Sequence, residues 1–381
     1  MKSASLEIFR YTIPMKAEFK HAAAARDVSE GLLVRLTLSD GTVGWGEAIP
    51  RPYVSGETCE SAAKIIESDY AARLADDDPL DTKPVADPDG KVQFTSAWCA
   101  CELAYLDAVC KSSRQRVAGF LARRLGRPQS RKLRRISGII PKAEPVAAAR
   151  LLRRMRLYAI RHFKVKVGFS GDMAVLQACA KSFARGIQSG RCSLRVDANG
   201  AWSLADAVGR LEEMRGCGVA AIEQPLAKDA WGELAELQAA SDIPVMLDES
   251  LVTFADAERA VASSAARMFN IRVSKNGGLV GALALADFAR SKGIGFQLGC
   301  MVGETGILSA AGRVFLELVG QDVRWAENSY GRFILSDDIV RQRVTIGYAG
   351  RVRRLARPGL GVVVDERKVE RYAKRITKLD F

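Results

Sequence analysis

The stretch Phe163-Lys164-Val165-Lys166-Val167-Gly168 decides how the chain is read. Valines beside lysines at i and i+2 fit a β-strand, whose side chains alternate faces, so Lys164 and Lys166 point the same way. If that side is the interior of a closed parallel barrel, two ammonium groups are buried together, which is costly unless charge partners lie close. Partners recur downstream at a regular interval: 31 residues from Lys166 to Asp197, 26 more to Glu223, 25 to Asp248 and 27 to Lys275. Each acid ends a short apolar run, and Lys275 follows the run that starts at Met268. A spacing of about 25–30 residues is one strand, one helix and two loops, the length of a βαβ step.

Working outward, short apolar runs alternate with amphipathic segments from Ile136 onward. The runs are Ile136–Ile140, Phe163–Val167, Leu194–Asp197, Ala220–Glu223, Val245–Asp248, Met268–Val273, Gly295–Leu298 and Val323–Ala326. Helix starts are marked by Ser203 and Thr253, and Gly293 closes the helix that begins at Leu279. Eight such steps predict an α/β fold, a (β/α)8 barrel with functional residues at the C-terminal ends of its strands. Upstream, Leu6–Thr12 and Gly31–Leu38 alternate apolar and polar residues, and Ser39-Asp40-Gly41-Thr42 turns the second run into Val43–Glu47. Gly56–Ala75, starting near Thr58, and Ser96–Lys111 read as helices, and Arg114–Arg135 as a helix and a connector. The expected organisation is an α+β capping domain over residues 1–130, the barrel over 131–345, and a tail over 346–381 that returns to complete the capping domain.

With 381 residues, 48% apolar and 27% charged, the chain has the composition of a soluble globular protein with a large core. The net charge of +13 gathers at Arg131–Arg135, Arg150–Arg161 and Arg351–Arg357. Such a surface steers anions. Apart from Tyr158 no aromatic residue interleaves the basic runs as single-stranded nucleic acid would need, so a solvated surface is favoured over nucleic-acid binding. The cysteines at 59, 99, 101, 110, 179, 192, 217 and 300 show no CxxC pair, and the histidines are His21 and His162. Free thiols in a reducing cytoplasm fit better than zinc or disulfides. No apolar run of eighteen residues occurs, so no membrane association is expected.

Three carboxylates gathered at a barrel mouth repel one another unless a cation neutralises them. A hard divalent ion suits oxygen ligands with positions open for substrate, so Mg2+ is expected on Asp197, Glu223 and Asp248, with Mn2+ a substitute. Lys164 and Lys166 on the second strand and Lys275 after the sixth flank that ion from opposite sides of the barrel. A metal that chelates a carboxylate acidifies the adjacent C–H, and a lysine near other cations has its pKa lowered enough to act as a base. One base on each face permits exchange of stereochemistry.

These residues resemble the enolase superfamily in its muconate-lactonizing branch, a superfamily whose Lys base and Mg2+ are an established pattern. Lys164-Val165-Lys166 is similar to the branch's KxK, Asp197-Ala198-Asn199 to its DxN, Glu223-Gln224-Pro225 to its EQP and Asp248-Glu249-Ser250 to its DES. Lys275-Asn276-Gly277-Gly278 resembles its lysine with paired glycines. Trp45-Gly46-Glu47-Ala48 and Gly56-Glu57-Thr58 resemble the capping-domain signature, and Gly331–Val340 the segment after the eighth strand. The resemblance implies that Lys166 and Lys275 are the acid/base pair, that Lys164 helps bind the substrate carboxylate, and that the loops near Phe19–Ala25 and Arg51–Ser55 shape specificity, with Tyr53 reaching the substrate. Asn199, Glu249, Cys300 and Glu304 are further expected site residues.

Departures narrow the choice. No histidine lies beyond His162, which excludes the mandelate racemase and glucarate subgroups with their His-Asp pair. Asn328 and Tyr330 stand where dipeptide epimerases carry Asp-x-Asp, which argues against a free-amine dipeptide. Gly299-Cys300-Met301-Val302-Gly303-Glu304-Thr305 resembles the branch's Cys-Met-x-Glu-Ser with one extra residue. The expected activity is an isomerase working through an enediolate, either a muconate-type cycloisomerase or a racemase or epimerase of an N-acylated amino acid. A succinylbenzoate-type dehydratase is the nearest alternative, and a noncatalytic nucleic-acid binder a remote one. A cytoplasmic homo-oligomer acting on a small carboxylate is expected.

Overall fold

A computed structural model describes residues 2–21, 24–76 and 79–381. The chain opens with a long antiparallel ribbon, β1 (Ser3–His21) and β2 (Ala24–Leu38), and β3 (Val43–Ala48) adds to it through the Ser39–Thr42 turn. The ribbon runs further than the alternation over Leu6–Thr12 and Gly31–Leu38 suggests. Of the expected Phe19–Ala25 loop, residues 19–21 and 24–25 thus belong to this ribbon; Ala22 and Ala23 lie outside the described residues. The face of β2 and β3 packs on the helix Thr95–Ser112, whose apolar residues are almost all buried. Gly46 is required there, because a Cβ on it would lie 1.8 Å from the Ala100 carbonyl oxygen.

The parallel strands follow: β4 (Gly138–Ile140), β5 (His162–Lys166), β6 (Ser193–Asp197), β7 (Val219–Glu223), β8 (Val245–Leu247), β9 (Met268–Ile271) and β10 (Gly295–Leu298), each hydrogen-bonded to the next. Val323–Ala326 is shorter than expected. It forms single parallel bridges at Ala326, one to Leu298 and one to Ile136, with Ser137 N donating to Ala326 O and Glu327 N to Leu298 O. Those bridges close the ring between β10 and β4 as an eighth, rudimentary strand, so the fold is the barrel with an N-terminal antiparallel sheet. The tail ends in β11 (Ala373–Asp380), which pairs antiparallel with β1. Helix starts follow the local signals: Thr58, Ser203 and Thr253 each accept a backbone N–H in a reciprocal capping box.

Three buried glutamates from the N-terminal region sit on helix N-termini, where free N–H groups and the helix dipole favour an anion. Glu57 accepts from Ser96 N (3.0 Å) and Ala97 N (2.8 Å) at the start of the Thr95–Ser112 helix. Glu47 accepts from Thr305 N (2.9 Å) and Leu308 N (3.0 Å) at the start of the helix Gly306–Val319. Glu102 does the same for the helix Gly278–Ser291. Among the described residues no cation bonds them, and burial pushes Glu47 and Glu57 up to about 7 and Glu102 to about 8 from an ordinary 4.5. Between pH 4.5 and about 7 the folded chain therefore keeps protons that the unfolded chain has released, so this contribution to stability falls as pH rises through that window. Urea unfolding of Glu47→Gln is expected to lose less stability than the parent chain between pH 5 and 8; an identical loss contradicts this reading.

Candidate active site

β5, β6 and β7 bring their last residues into register: Lys166 pairs with Asp197 and Asp197 with Glu223 across neighbouring strands. Asp248 follows the end of β8, and Lys275 lies in the turn after β9. Asp197, Glu223, Asp248, Lys164 and Lys275 are all buried. β5 and β9 are the second and sixth strands of the ring, four steps apart and so across the barrel from one another.

Lys164 lies beneath the acids. Its ammonium donates to both Glu223 oxygens (3.1 and 3.2 Å) and pairs with Asp197 (3.2 Å) and Glu327 (2.7 Å). Burial alone would lower its pKa, but the charges of Glu223, Glu327 and Asp197 win and hold it well above the ordinary lysine range. Lys166 donates to Asp197 Oδ2 (2.7 Å) and Asn199 Oδ1 (2.6 Å). Lys275 donates to the Asp248 carbonyl (2.6 Å), Asp248 Oδ1 (3.0 Å) and the Asn270 carbonyl (2.9 Å). Burial, reinforced by the Arg272 charge against the pull of Asp248, holds Lys275 below the usual lysine value.

The acids respond to unequal company. Burial would raise Asp197, yet Lys166 and Lys164 outweigh it and hold it low. Asp248 is likewise held low by Arg272 and Lys275 against its burial. Glu223, raised first by burial and then by the Asp197 charge, is pushed up to about 8 although Lys164 touches it. Glu249 shifts the same way: burial and the Asp248 charge push it up to about 7.

Several functional side chains were not anticipated from the sequence. Arg272 bonds Asp248 and lies 3.9 Å from Glu223. Asn270 and Gln297 donate to the two Glu223 oxygens (2.9 and 3.1 Å). Glu327, from the eighth strand, joins Lys164 to Arg195 (2.8 Å), whose guanidinium stands 4.6 Å from the centre of the Trp325 ring. Of the expected residues, Asn199 Nδ2 bonds Glu249 (3.1 Å). Glu304 turns back to accept from Met301 N (2.6 Å) inside its own loop, and burial pushes it to about 8. Burial raises the Cys300 thiol well above its ordinary value. Tyr53 carries the Arg26 guanidinium 5.7 Å from its ring centre. Tyr330 donates to the Ser137 carbonyl (2.6 Å) and Asn328 is buried.

Among the described residues no group of three or more His, Cys, Asp or Glu side chains stands at metal-ligating separation. Lys164 and Arg272 instead reach in between Asp197, Glu223 and Asp248. The donor chemistry nonetheless fits a hard cation: three carboxylates, one of them raised by burial and by its acidic neighbour Asp197, with Glu249 Oε2, Asn270 Oδ1 and Gln297 Oε1 buried nearby without a hydrogen-bond partner among the described residues.

Residues 147–368 match the family model "Enolase C-terminal domain-like", and residues 1–89 match "MenC, N-terminal domain". An L-amino acid-D/L-Glu epimerase of Francisella philomiragia is 31% identical over 309 residues, covering 78% of this chain and 83% of the relative. An o-succinylbenzoate synthase of Geobacillus stearothermophilus is 28% identical over 94% of this chain and 93% of its own. A muconate lactonizing enzyme from Pseudomonas fluorescens, solved with muconolactone, superposes with a TM-score of 0.84 at 26% identity, over 98% of this chain and 99% of that one.

Proposed function

The chain belongs to the enolase superfamily, among its muconate-lactonizing and racemase relatives, and from that premise we propose that it racemises or epimerises an N-acylated amino acid by moving the proton α to the carboxylate. The observation that carries this reading is the pair of lysines on opposite sides of the barrel, each bonded to its own carboxylate: Lys166 to Asp197 and Lys275 to Asp248. Asp197, Glu223 and Asp248 would hold a divalent ion, Mg2+ or Mn2+, which when bound supplies Lewis-acid stabilisation of charge on the substrate carboxylate. Lys164, fixed under the acids, adds fixed positive charge below that carboxylate. One lysine takes the α-proton from one face; the other returns a proton from the opposite face, which inverts the centre.

The segment around Tyr53 is cationic. Arg51 is buried, donates to the carbonyls of Glu30, Pro50 and Val302, and sits near Arg26, whose guanidinium lies 5.7 Å from the Tyr53 ring centre. An acidic acyl or side-chain group on the substrate would complement it. A second reading, β-elimination of water as in an o-succinylbenzoate synthase, uses the same lysines and is favoured by the near full-length similarity to such a protein.

The test is α-proton exchange in D2O across a panel of N-acylated amino acids and dicarboxylates. Exchange that needs Mg2+ and stops with EDTA is expected, with inversion of acylated amino acids. If no carboxylate exchanges its α-proton in the presence of Mg2+, the reading fails; if water is eliminated instead, the second reading takes its place.

A further inference from the structure

Lys275 stands on a foundation that Lys166 does not share. The partners of Lys166, Asp197 and Asn199, belong to β6 and the turn after it. The turn that carries Lys275 is gripped on both sides by one helix of the N-terminal region, Thr95–Ser112. On the near side Ser96 Oγ meets Ser274 Oγ at 3.0 Å, next to Lys275 in the chain. On the far side the Glu102 carboxylate accepts from Leu279 N (2.6 Å) and Val280 N (3.3 Å), the first turn of the helix that follows. Six residues of helix separate the two grips, about 9 Å along its axis.

The paired glycines after Lys275 are what this grip requires. Gly277 and Gly278 both have positive φ, 76° and 89°. A Cβ on Gly278 would lie 2.5 Å from Glu102 Oε1, and one on Gly277 would lie 2.8 Å from Pro84 Cγ. The backbone is therefore pressed against the N-terminal region at the step where it leaves the lysine. The grip also reaches the Pro52–Ser55 segment. Glu57 accepts from Ser96 N and Ala97 N and from Ser55 Oγ (2.7 Å), so the Pro52–Ser55 segment bearing Tyr53 is one carboxylate away from Ser96.

The geometry points to Ser96 and Glu102 as positioning residues for Lys275: the helix Thr95–Ser112 fixes the turn from which one of the two bases acts, while the hydrogen-bond partners of the other base among the described residues belong to the barrel. Stereochemically the two faces of the reaction then have different dependence on the N-terminal region. Loosening the grip should disable proton transfer at the Lys275 face and spare the Lys166 face, because displacing a reacting group by about 1 Å costs on the order of 10²-fold.

Two readouts test this on the full-length chain, with Ser96→Ala as the mild variant, Glu102→Ala as the severe one and Glu102→Gln, which keeps an acceptor for Leu279 N, as the conservative rescue. The first is competitive acylation of lysine amines read by peptide mass spectrometry, which needs no substrate. Labelling of Lys275 is expected to rise about tenfold in Glu102→Ala and measurably in Ser96→Ala as local opening of the turn becomes easier, to return towards the parent value in Glu102→Gln, and to stay unchanged at Lys166. The second is α-proton exchange measured separately for the two enantiomers, the Lys275 face being the one lost in Lys275→Ala; this arm alone rests on the proton-transfer reading above. Exchange at that face is expected to fall about tenfold or more in Glu102→Ala, with the opposite face within about twofold. Equal changes at both lysines, or none at Lys275, overturn the proposal whether or not a substrate has been found. A parent chain that exchanges no substrate counts against the proposed function, and the labelling then decides the positioning role by itself.

Discussion

Lys275→Ala is expected to abolish racemisation while leaving exchange of the α-proton from one enantiomer, and Lys166→Ala is expected to give the mirror-image result. Each loss should be about 10²–10⁴-fold, the usual worth of a positioned general acid or base. The reason is topological. Lys166 closes β5 and Lys275 follows β9, the second and sixth strands of an eight-membered ring, and each ammonium bonds a different acid, Asp197 or Asp248. A substrate carboxylate placed between them shows one face to each. Inversion needs both lysines, but washing deuterium into a single enantiomer needs only the lysine on its own face. If either variant loses exchange from both enantiomers alike, the other lysine is not acting as an independent base.

Glu327→Leu is expected to destabilise the fold by about 3–5 kcal/mol, the cost of removing one partner from a buried ion pair and stranding the rest. Glu327 joins the buried Lys164 (2.7 Å) to the buried Arg195 (2.8 Å), with side-chain exposures of 3%, 4% and 0% for the acid, the lysine and the arginine. Without it Arg195 keeps Ser137 Oγ, at 3.3 to 3.4 Å, and the face of Trp325. Lys164 keeps Glu223 and Asp197. Arg195→Met added to Glu327→Leu should recover part of the loss, because the stranded guanidinium is then gone. Urea unfolding at constant m checks both; a single-variant change below about 1 kcal/mol would show that Arg195 and Lys164 find other compensation.

The barrel was legible because its strands are short apolar runs ending in charge, and because Ser203 and Thr253 announce the helices between them. The eighth strand was legible only as a run, since at Ala326 the chain makes single bridges where a longer strand would make a ladder. The principal charges were legible for the same reason: Lys164, Lys166, Asp197, Glu223, Asp248 and Lys275 stand at one phase of the repeat. Arg195, Asn270, Gln297 and Glu327 belong to the same interior, but a lone polar residue in a strand reads as an outward-facing one. Their partners lie far off in sequence, 132 residues from Arg195 to Glu327 and 74 from Gln297 to Glu223. Arg272 could have been suspected, as a second cation three residues before Lys275. The length of the β1–β2 ribbon was hidden because Pro14 and the alanines near residue 22 interrupt the alternation that strands are recognised by.

Binding of Mn2+ followed by electron paramagnetic resonance tests the central claim most directly, that three acids at consecutive strand ends hold one divalent ion between two lysines. A single Mn2+ per chain is expected, displaced by Mg2+, lost in Glu223→Gln and Asp248→Asn, and retained in Lys166→Ala. Mn2+ binding that survives both acid substitutions, or no binding by the folded parent chain, would contradict it.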